Sequence, residues 1–221
     1  MHAALPNGLR VLDLFCCQGG ASMGYHLAGF EVVGVDLAPQ PRYPFSFVQA
    51  DALVFVREHG AEFDFIHASP PCQRYTLAQR IQHREHPDLI APTRSALQAT
   101  GRPWVMENVE DAAPELHEPV TLCAAAFGMH TYRHRLFETG GGFTFTPLRH
   151  RRHTAPLTKM GRPRAAGHFA HYVGNFSGVQ EARDDMGVSW MNRDGIRECI
   201  PPAYTEHIGT ALYASLLEVA A

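Results

Sequence analysis

Five short apolar runs, each closed by a turn or an acidic residue, alternate with stretches able to form helices, and this alternation constrains the chain more than any other feature. Residues 9–15 form the first run, followed by the turn Cys16-Cys17-Gln18-Gly19-Gly20 and a helical stretch over 21–28 that Gly29 closes. Residues 31–35 end at Asp36, and residues 45–50 end at Asp51, after which 52–59 can be helical until Gly60. Residues 63–69 run directly into Pro70-Pro71-Cys72-Gln73. Two prolines cannot continue a sheet or begin an ordinary helix, so the chain must turn at that strand's carboxyl end. Within 86–100 the apolar pairs Leu89-Ile90 and Ala96-Leu97 recur after two helical turns, and Gly101 stops the helix. Residues 103–109 give a fifth strand and 120–127 a further apolar segment. Strands alternating with helices through short turns predict an α/β fold: a mostly parallel sheet with helices on both faces.

The pattern breaks at about residue 140. Residues 140–186 are basic, dotted with aromatics and rich in Gly and Pro, which predicts a small irregular module outside the sheet. Residues 208–217 are apolar at helical spacing and should return to the main core. The 221 residues suffice for one domain with a small appendage. No apolar stretch is long enough to span a bilayer and no signal peptide is visible, so a cytoplasmic protein without a membrane partner is expected. Five cysteines, an odd number with no C-x-x-C pair, fit reduced thiols better than disulfides.

Net charge is −3, which argues against a non-specific nucleic-acid coat. Its distribution argues otherwise. Between Glu138 and Glu181 there is no acidic residue, while Arg149, Arg151, Arg152, Lys159, Arg162 and Arg164 supply six cations, leaving 13 against 22 acids elsewhere. One segment is therefore a cationic island on an acidic body.

Two candidate sites follow from the residues themselves. A strand, a glycine-bearing turn and a helix can receive an adenosine-containing ligand, because amides at a helix start are unsatisfied and glycine lets a ligand approach. Asp36 and Asp51, at the ends of the next two strands, could accept hydrogen bonds from ribose hydroxyls and an adenine amino group. The turn lacks G-x-G-x-x-G, so a dinucleotide is the less favoured ligand. Cys72, on a turn at a strand's carboxyl end, is either a nucleophile or a small buried hydrophobe.

Four further pieces accompany these: Pro71-Cys72-Gln73, Glu107-Asn108-Val109, Arg133-His134-Arg135 ahead of Leu136-Phe137, and Ile200-Pro201-Pro202 followed by Ile208-Gly209. Together with Asp13-Leu14-Phe15 and its glycine turn, the set resembles the cytosine-C5 DNA methyltransferases, most closely their short bacteriophage and actinobacterial forms. The motifs stand in the family's order and cover residues 9 to 217. The resemblance implies a Rossmann-like S-adenosylmethionine-dependent methyltransferase fold, with a catalytic domain over 1–139 and 187–221 and a target-recognition module over 140–186. It implies S-adenosylmethionine as methyl donor, S-adenosylhomocysteine as product, and double-stranded DNA as partner of a monomeric enzyme in a bacterial or phage-infected cell. Catalysis falls to Cys72, Glu107, Arg133 and Arg135: Cys72 attacks C6 of the cytosine, Glu107 and Arg135 neutralise the ring, and Arg133 orients Glu107 or a phosphate. Donor binding falls to Phe15, Cys17, Gly19, Gly20, Asp36, Leu37, Asp51, Ala52, Pro71 and Glu198. DNA contact falls to Gln73, Tyr75, Thr76, Arg80 and Arg84 in a loop that closes over an extruded base, and to Arg149, Arg151, Arg152, Arg162 and Arg164 in the basic module.

Departures from the family pattern lie at Cys17, which replaces a glycine and must avoid positive φ or accept strain, at Thr131 for a glutamine, at Asp36 for a glutamate, and at Glu198 for an asparagine. An RNA methyltransferase on the same scaffold, acting on tRNA, is one alternative. Another is a non-catalytic DNA-binding protein stabilised by zinc on His150, His153, His168, His171 and Cys199, against the expectation of no metal.

Overall fold

A computed structural model describes residues 4–71, 88–150, 152–159 and 161–220. Its centre is a seven-stranded sheet in the order β3-β2-β1-β4-β5-β7-β6. The strands are β1 (Arg10–Leu14), β2 (Glu31–Asp36), β3 (Ser46–Gln49), β4 (Phe65–Ala68), β5 (Trp104–Asn108), β6 (Val120–Leu122) and β7 (Arg135–Gly140). The first five pair in parallel, and β7 runs antiparallel to both β5 and β6. The helices are α1 (Gly20–Leu27), α2 (Ala52–His59), α3 (Ile90–Ala99), α4 (Val179–Met186), α5 (Arg193–Glu198) and α6 (Pro202–Ala220). The predicted α/β class holds, and the five predicted strands all form.

Apolar side chains alternate along the strands and divide into two cores. Val11, Val32, Phe65 and Val105 point to one face, where they meet α1 and α6 through Tyr25, Tyr204 and Ile208. Leu12, Leu14, Ile66 and Met106 point to the other, against Val56 of α2 and Leu97 of α3. Gly24 allows α1 and α6 to touch, since a Cβ there would collide with the Pro202 carbonyl oxygen and the Thr205 hydroxyl. The basic segment differs from the sequence-based expectation in one respect. It is irregular up to α4, but Phe143, Phe145, Tyr172 and Phe176 are buried in the same cluster as β1 and α6, so it contributes to the main core.

The strand order reverses between β1 and β4, and in open parallel sheets ligands bind beyond the carboxyl ends of the strands at such a point. The C-terminal segment closes over this end. Gln18 donates to Asn192 Oδ1 and accepts from its backbone amide, while the Trp190 indole donates to the Gln18 carbonyl. No helix among the described residues is long and apolar enough to cross a membrane.

Candidate active site

A cavity of about 470 Å³ opens where β1, β2, β4 and β5 end. Of the ten residues expected to hold a donor, Phe15, Cys17, Gly20, Asp36, Leu37, Asp51, Ala52, Pro71 and Glu198 line it. Gly19 does not. It sits at φ 80° behind the wall, where a Cβ would press on the Tyr43 ring.

Of the two outcomes open to the turn at Cys17, avoiding positive φ or accepting strain, the structure shows the second. Phe15 and Cys17 both adopt positive φ, 60° and 45°, a conformation that carries a steric cost for any residue with a Cβ. Asp36 holds the strained backbone, its Oδ2 accepting from the Cys17 amide at 3.0 Å and its Oδ1 from the Ala38 amide at 2.9 Å. Asp36 is thus a turn clamp as well as a cavity residue. Asp51 likewise caps α2, with Oδ1 accepting from the amides of Leu53 and Val54 at 2.8 and 2.9 Å.

Three more carboxyls bear on the cavity with pKa values displaced upward. Asp13 of β1 is 1 % exposed, and burial raises it to about 7 even though the Ser22 hydroxyl donates to its Oδ2. Its Oδ1 has no hydrogen-bond partner among the described residues. Burial also raises Glu198, which receives the Cys17 thiol at 3.9 Å. Glu107 at the end of β5 is raised mainly by burial, against the opposing pull of Arg135 and Arg133. Its Oε1 lies 2.8 Å from Arg135 Nε, an ion-pair contact that is not aligned as a hydrogen bond.

The two arginines have separate tasks. Arg135 faces Glu107 and lines both this cavity and a second one of about 390 Å³ that also includes Val109, Tyr132, His134 and His171. Arg133 is buried and directs its Nε, Nη1 and Nη2 to the carbonyls of Cys199, Tyr172 and Arg197, at 2.9, 3.2 and 2.7 Å. The expectation that Arg133 orients Glu107 or a phosphate gives way to a different geometry: its donors fasten the C-terminal segment and the basic segment to β7, and it reaches Glu107 only through its charge.

β4 ends at Ala68 and the chain is irregular through Pro70 and Pro71, as two prolines require, with Asn108 Nδ2 donating to the Pro70 carbonyl at 3.0 Å. Cys72, with Gln73, Tyr75, Thr76, Arg80 and Arg84, lies outside the described residues, as does Arg151. In the basic segment Arg149, Arg152 and Arg162 are exposed. Arg164 is half-buried, with Nε 2.5 Å from Glu181 Oε1, so its charge is satisfied within the molecule and not held out for a phosphate.

Asp13, Asn108, Ser69 and His67 carry structural work at this site, although the motif reading gave none of them an individual role. His67 is buried and its pKa falls to about 3, so the neutral ring bridges Tyr25 and Ser69 at 3.0 and 2.9 Å. The available signals were a carboxylate inside the apolar run 9–15 and a histidine inside 63–69, each of which needs a buried partner.

No protein-family profile and no curated protein matches the sequence. Solved structures do resemble it. One is a candidate DNA modification methyltransferase encoded within a prophage (E. coli), with 15% identity, a TM-score of 0.61, and coverage of 95% of this chain and 100% of the other. Another is the S. pombe Dnmt2 methyltransferase, with 13% identity, a TM-score of 0.54, and coverage of 96% and 99%. At such identities the likeness establishes the fold, which is the Rossmann-like methyltransferase fold expected from the motifs.

Proposed function

We propose that this chain is an S-adenosylmethionine-dependent methyltransferase that acts on C5 of cytosine in double-stranded DNA through Cys72. The observation that carries the proposal is the shared cavity. One end holds the Glu107–Arg135 pair with Pro70 and Pro71, immediately ahead of Cys72 in the sequence, and the other holds Asp36, Asp51 and Glu198.

The residues present suit the donor. A cavity in which burial pushes the carboxyls of Asp13 and Glu198 upward, with one buried oxygen of Asp13 unpartnered among the described residues, favours a cationic ligand over an anionic one. Bound there, the donor would supply an electrophilic methyl group on a sulfonium. Asp36 and Asp51 retain lone pairs for ribose and adenine after making their backbone bonds. Glu198 would hold positive charge by attraction and repel a donor with an extra carboxylate, which favours an ordinary methyl donor and 5-methylcytosine as product.

At the other end, the Cys72 thiolate adds to C6 of the cytosine, which makes C5 nucleophilic. Glu107, raised toward its protonated form, can donate to N3 as charge builds in the ring, and Arg135 faces O2. After methyl transfer, loss of the C5 proton expels Cys72 by β-elimination. Asn108 acts on this sequence indirectly, by fixing the Pro70 carbonyl and so the start of the segment that bears Cys72. The target must leave the duplex to reach the cavity. The second cavity, which shares Val109 and Arg135 with the first, gives the base a path lined by the basic segment.

Incubation with labelled S-adenosylmethionine and either mixed duplex DNA or RNA, followed by mass spectrometry of the digested product, tests the proposal. Methyl-labelled cytosine in DNA is expected, and Cys72→Ala should lose all turnover while retaining donor affinity. Turnover by Cys72→Ala, a mass gain other than one methyl, or label in RNA alone would each require another function.

A further inference from the structure

Away from the cavity floor, one thiol and three imidazoles converge where the basic segment meets β7. Cys123 follows β6 and is buried, His134 stands between Arg133 and Arg135, and His150 and His153 come from the start of the basic segment. One ligand atom from each lies within 4.8 Å of all the others. Cys123 Sγ is 3.5 Å from His153 Nε2, and His134 Nε2 is 3.0 Å from His150 Nε2.

These separations can be compared with a metal's requirements. Tetrahedral zinc, with Zn–N near 2.0–2.1 Å and Zn–S near 2.3 Å, places neighbouring nitrogens about 3.3 Å apart and nitrogen and sulfur about 3.6 Å apart. The same tetrahedron puts imidazole centroids roughly 5 Å apart. The three ring pairs stand at 5.1, 4.9 and 4.9 Å. On its other side, His134 Nδ1 lies 3.0 Å from Glu110 Oε1, the carboxylate–histidine arrangement that orients metal-bound imidazoles.

We propose that Cys123, His134, His150 and His153 bind one zinc ion. Four protein ligands leave no open position, so the ion is structural, and it ties the beginning of the basic segment to the segment that carries Arg133 and leads into β7 at Arg135. The ligand set differs from the one the sequence suggests. His150 and His153 belong to it, but Cys199 is buried elsewhere with its thiol donating to the Ile200 carbonyl, and His168 and His171 stand outside the group. The H-x-x-H spacing identified half of the site. The other half comes from Cys123 and His134, which are brought in by β6 and β7 and carry no local signature. The inference is independent of the proposed methyl transfer.

Elemental analysis of the full chain, purified without a polyhistidine tag, should find about one zinc per molecule. Replacement by cobalt(II) should give the thiolate-to-cobalt charge-transfer band and the intense visible bands of a tetrahedral site. Cys123→Ser and His153→Ala should each lower bound zinc at least tenfold, whereas Cys199→Ser and the double variant His168→Ala/His171→Ala should retain it. A wild-type chain that binds neither zinc nor cobalt overturns the site, as does zinc retained by Cys123→Ser or lost from Cys199→Ser. If the ligand variants do not fold, the cobalt spectrum of the wild-type chain still decides, because its charge-transfer band requires a thiolate ligand and its visible intensity a tetrahedral field.

Discussion

Asp13 joins the fold to the site at the level of a single side chain. Burial places its pKa near 7 in the folded chain against 3.8 for the free side chain, so between those values the folded state holds more protons than the unfolded state. Stability from this group is therefore fully present below about pH 4, declines as pH rises toward 7, and is constant above it. The loss is on the order of 4 kcal/mol. Asn at this position keeps an acceptor for the Ser22 hydroxyl and cannot ionise. In urea unfolding without donor, Asp13→Asn should gain on the wild type between pH 5 and pH 8, and an unchanged gap would show that Asp13 does not titrate there. His67 works in the opposite direction: its folded pKa near 3 lies below the usual 6.5, so it adds stability as pH rises from 3 to 6.5. Taking the difference between variant and wild type removes that contribution. A shared location was legible where motifs carried it, as for Glu107 and Arg135, which lie in contact, and a specific contact was illegible where the partner lay far along the chain, as for Arg133 and the carbonyl of Cys199.

Among the elements, β7 best shows why a strand can be missed. Its sequence R-L-F-E-T-G shows no alternation, with three consecutive buried residues, and its two charged side chains are both committed: Arg135 to Glu107, and Glu138 to Arg94 of α3. The Arg94–Glu138 pair is buried and two-pronged, Nε to Oε1 at 2.6 Å and Nη2 to Oε2 at 2.7 Å. Glu138 Oε2 also accepts from the His117 amide at 2.9 Å, so one carboxylate joins a helix, a strand and the turn ahead of β6. Removing one partner leaves an uncompensated buried charge, and Arg94→Met should cost about 3–5 kcal/mol. The double variant Arg94→Met/Glu138→Leu should recover most of that loss in chemical denaturation. Equal losses in the single and double variants would mean that packing, and not charge, sets the cost. The short helices α4 and α5 escaped notice for another reason. Their eight and six residues are mostly polar, with only two buried in each, so no apolar period could develop.

At the scale of the whole molecule, the basic segment shows which part of a charge argument survives folding. Counting along the chain gives six cations with no acid between Glu138 and Glu181, yet Glu181 itself folds back onto Arg164. The segment is also joined to the main core by its aromatics and by Arg133, which donates to the Tyr172 carbonyl, so its exposed face is held at a fixed place beside Arg135 and the second cavity. Arg149, Arg152 and Arg162 stand exposed on it, and Arg151 belongs to the same run of sequence. If this face meets the phosphate backbone, each lost contact removes about 0.9 from the slope of log affinity against log salt. Replacing Arg149, Arg151, Arg152 and Arg162 with glutamine should therefore weaken duplex binding and flatten that slope by roughly 2–4. Arg164→Gln should leave the slope unchanged and instead lower stability, because its charge already has a partner. Fluorescence anisotropy titrations across a salt series separate the two effects. A slope that Arg164→Gln reduces as much as any exposed arginine would show that the Glu181 contact opens on DNA, and an unchanged slope in the fourfold variant would place the DNA-facing surface elsewhere on the chain.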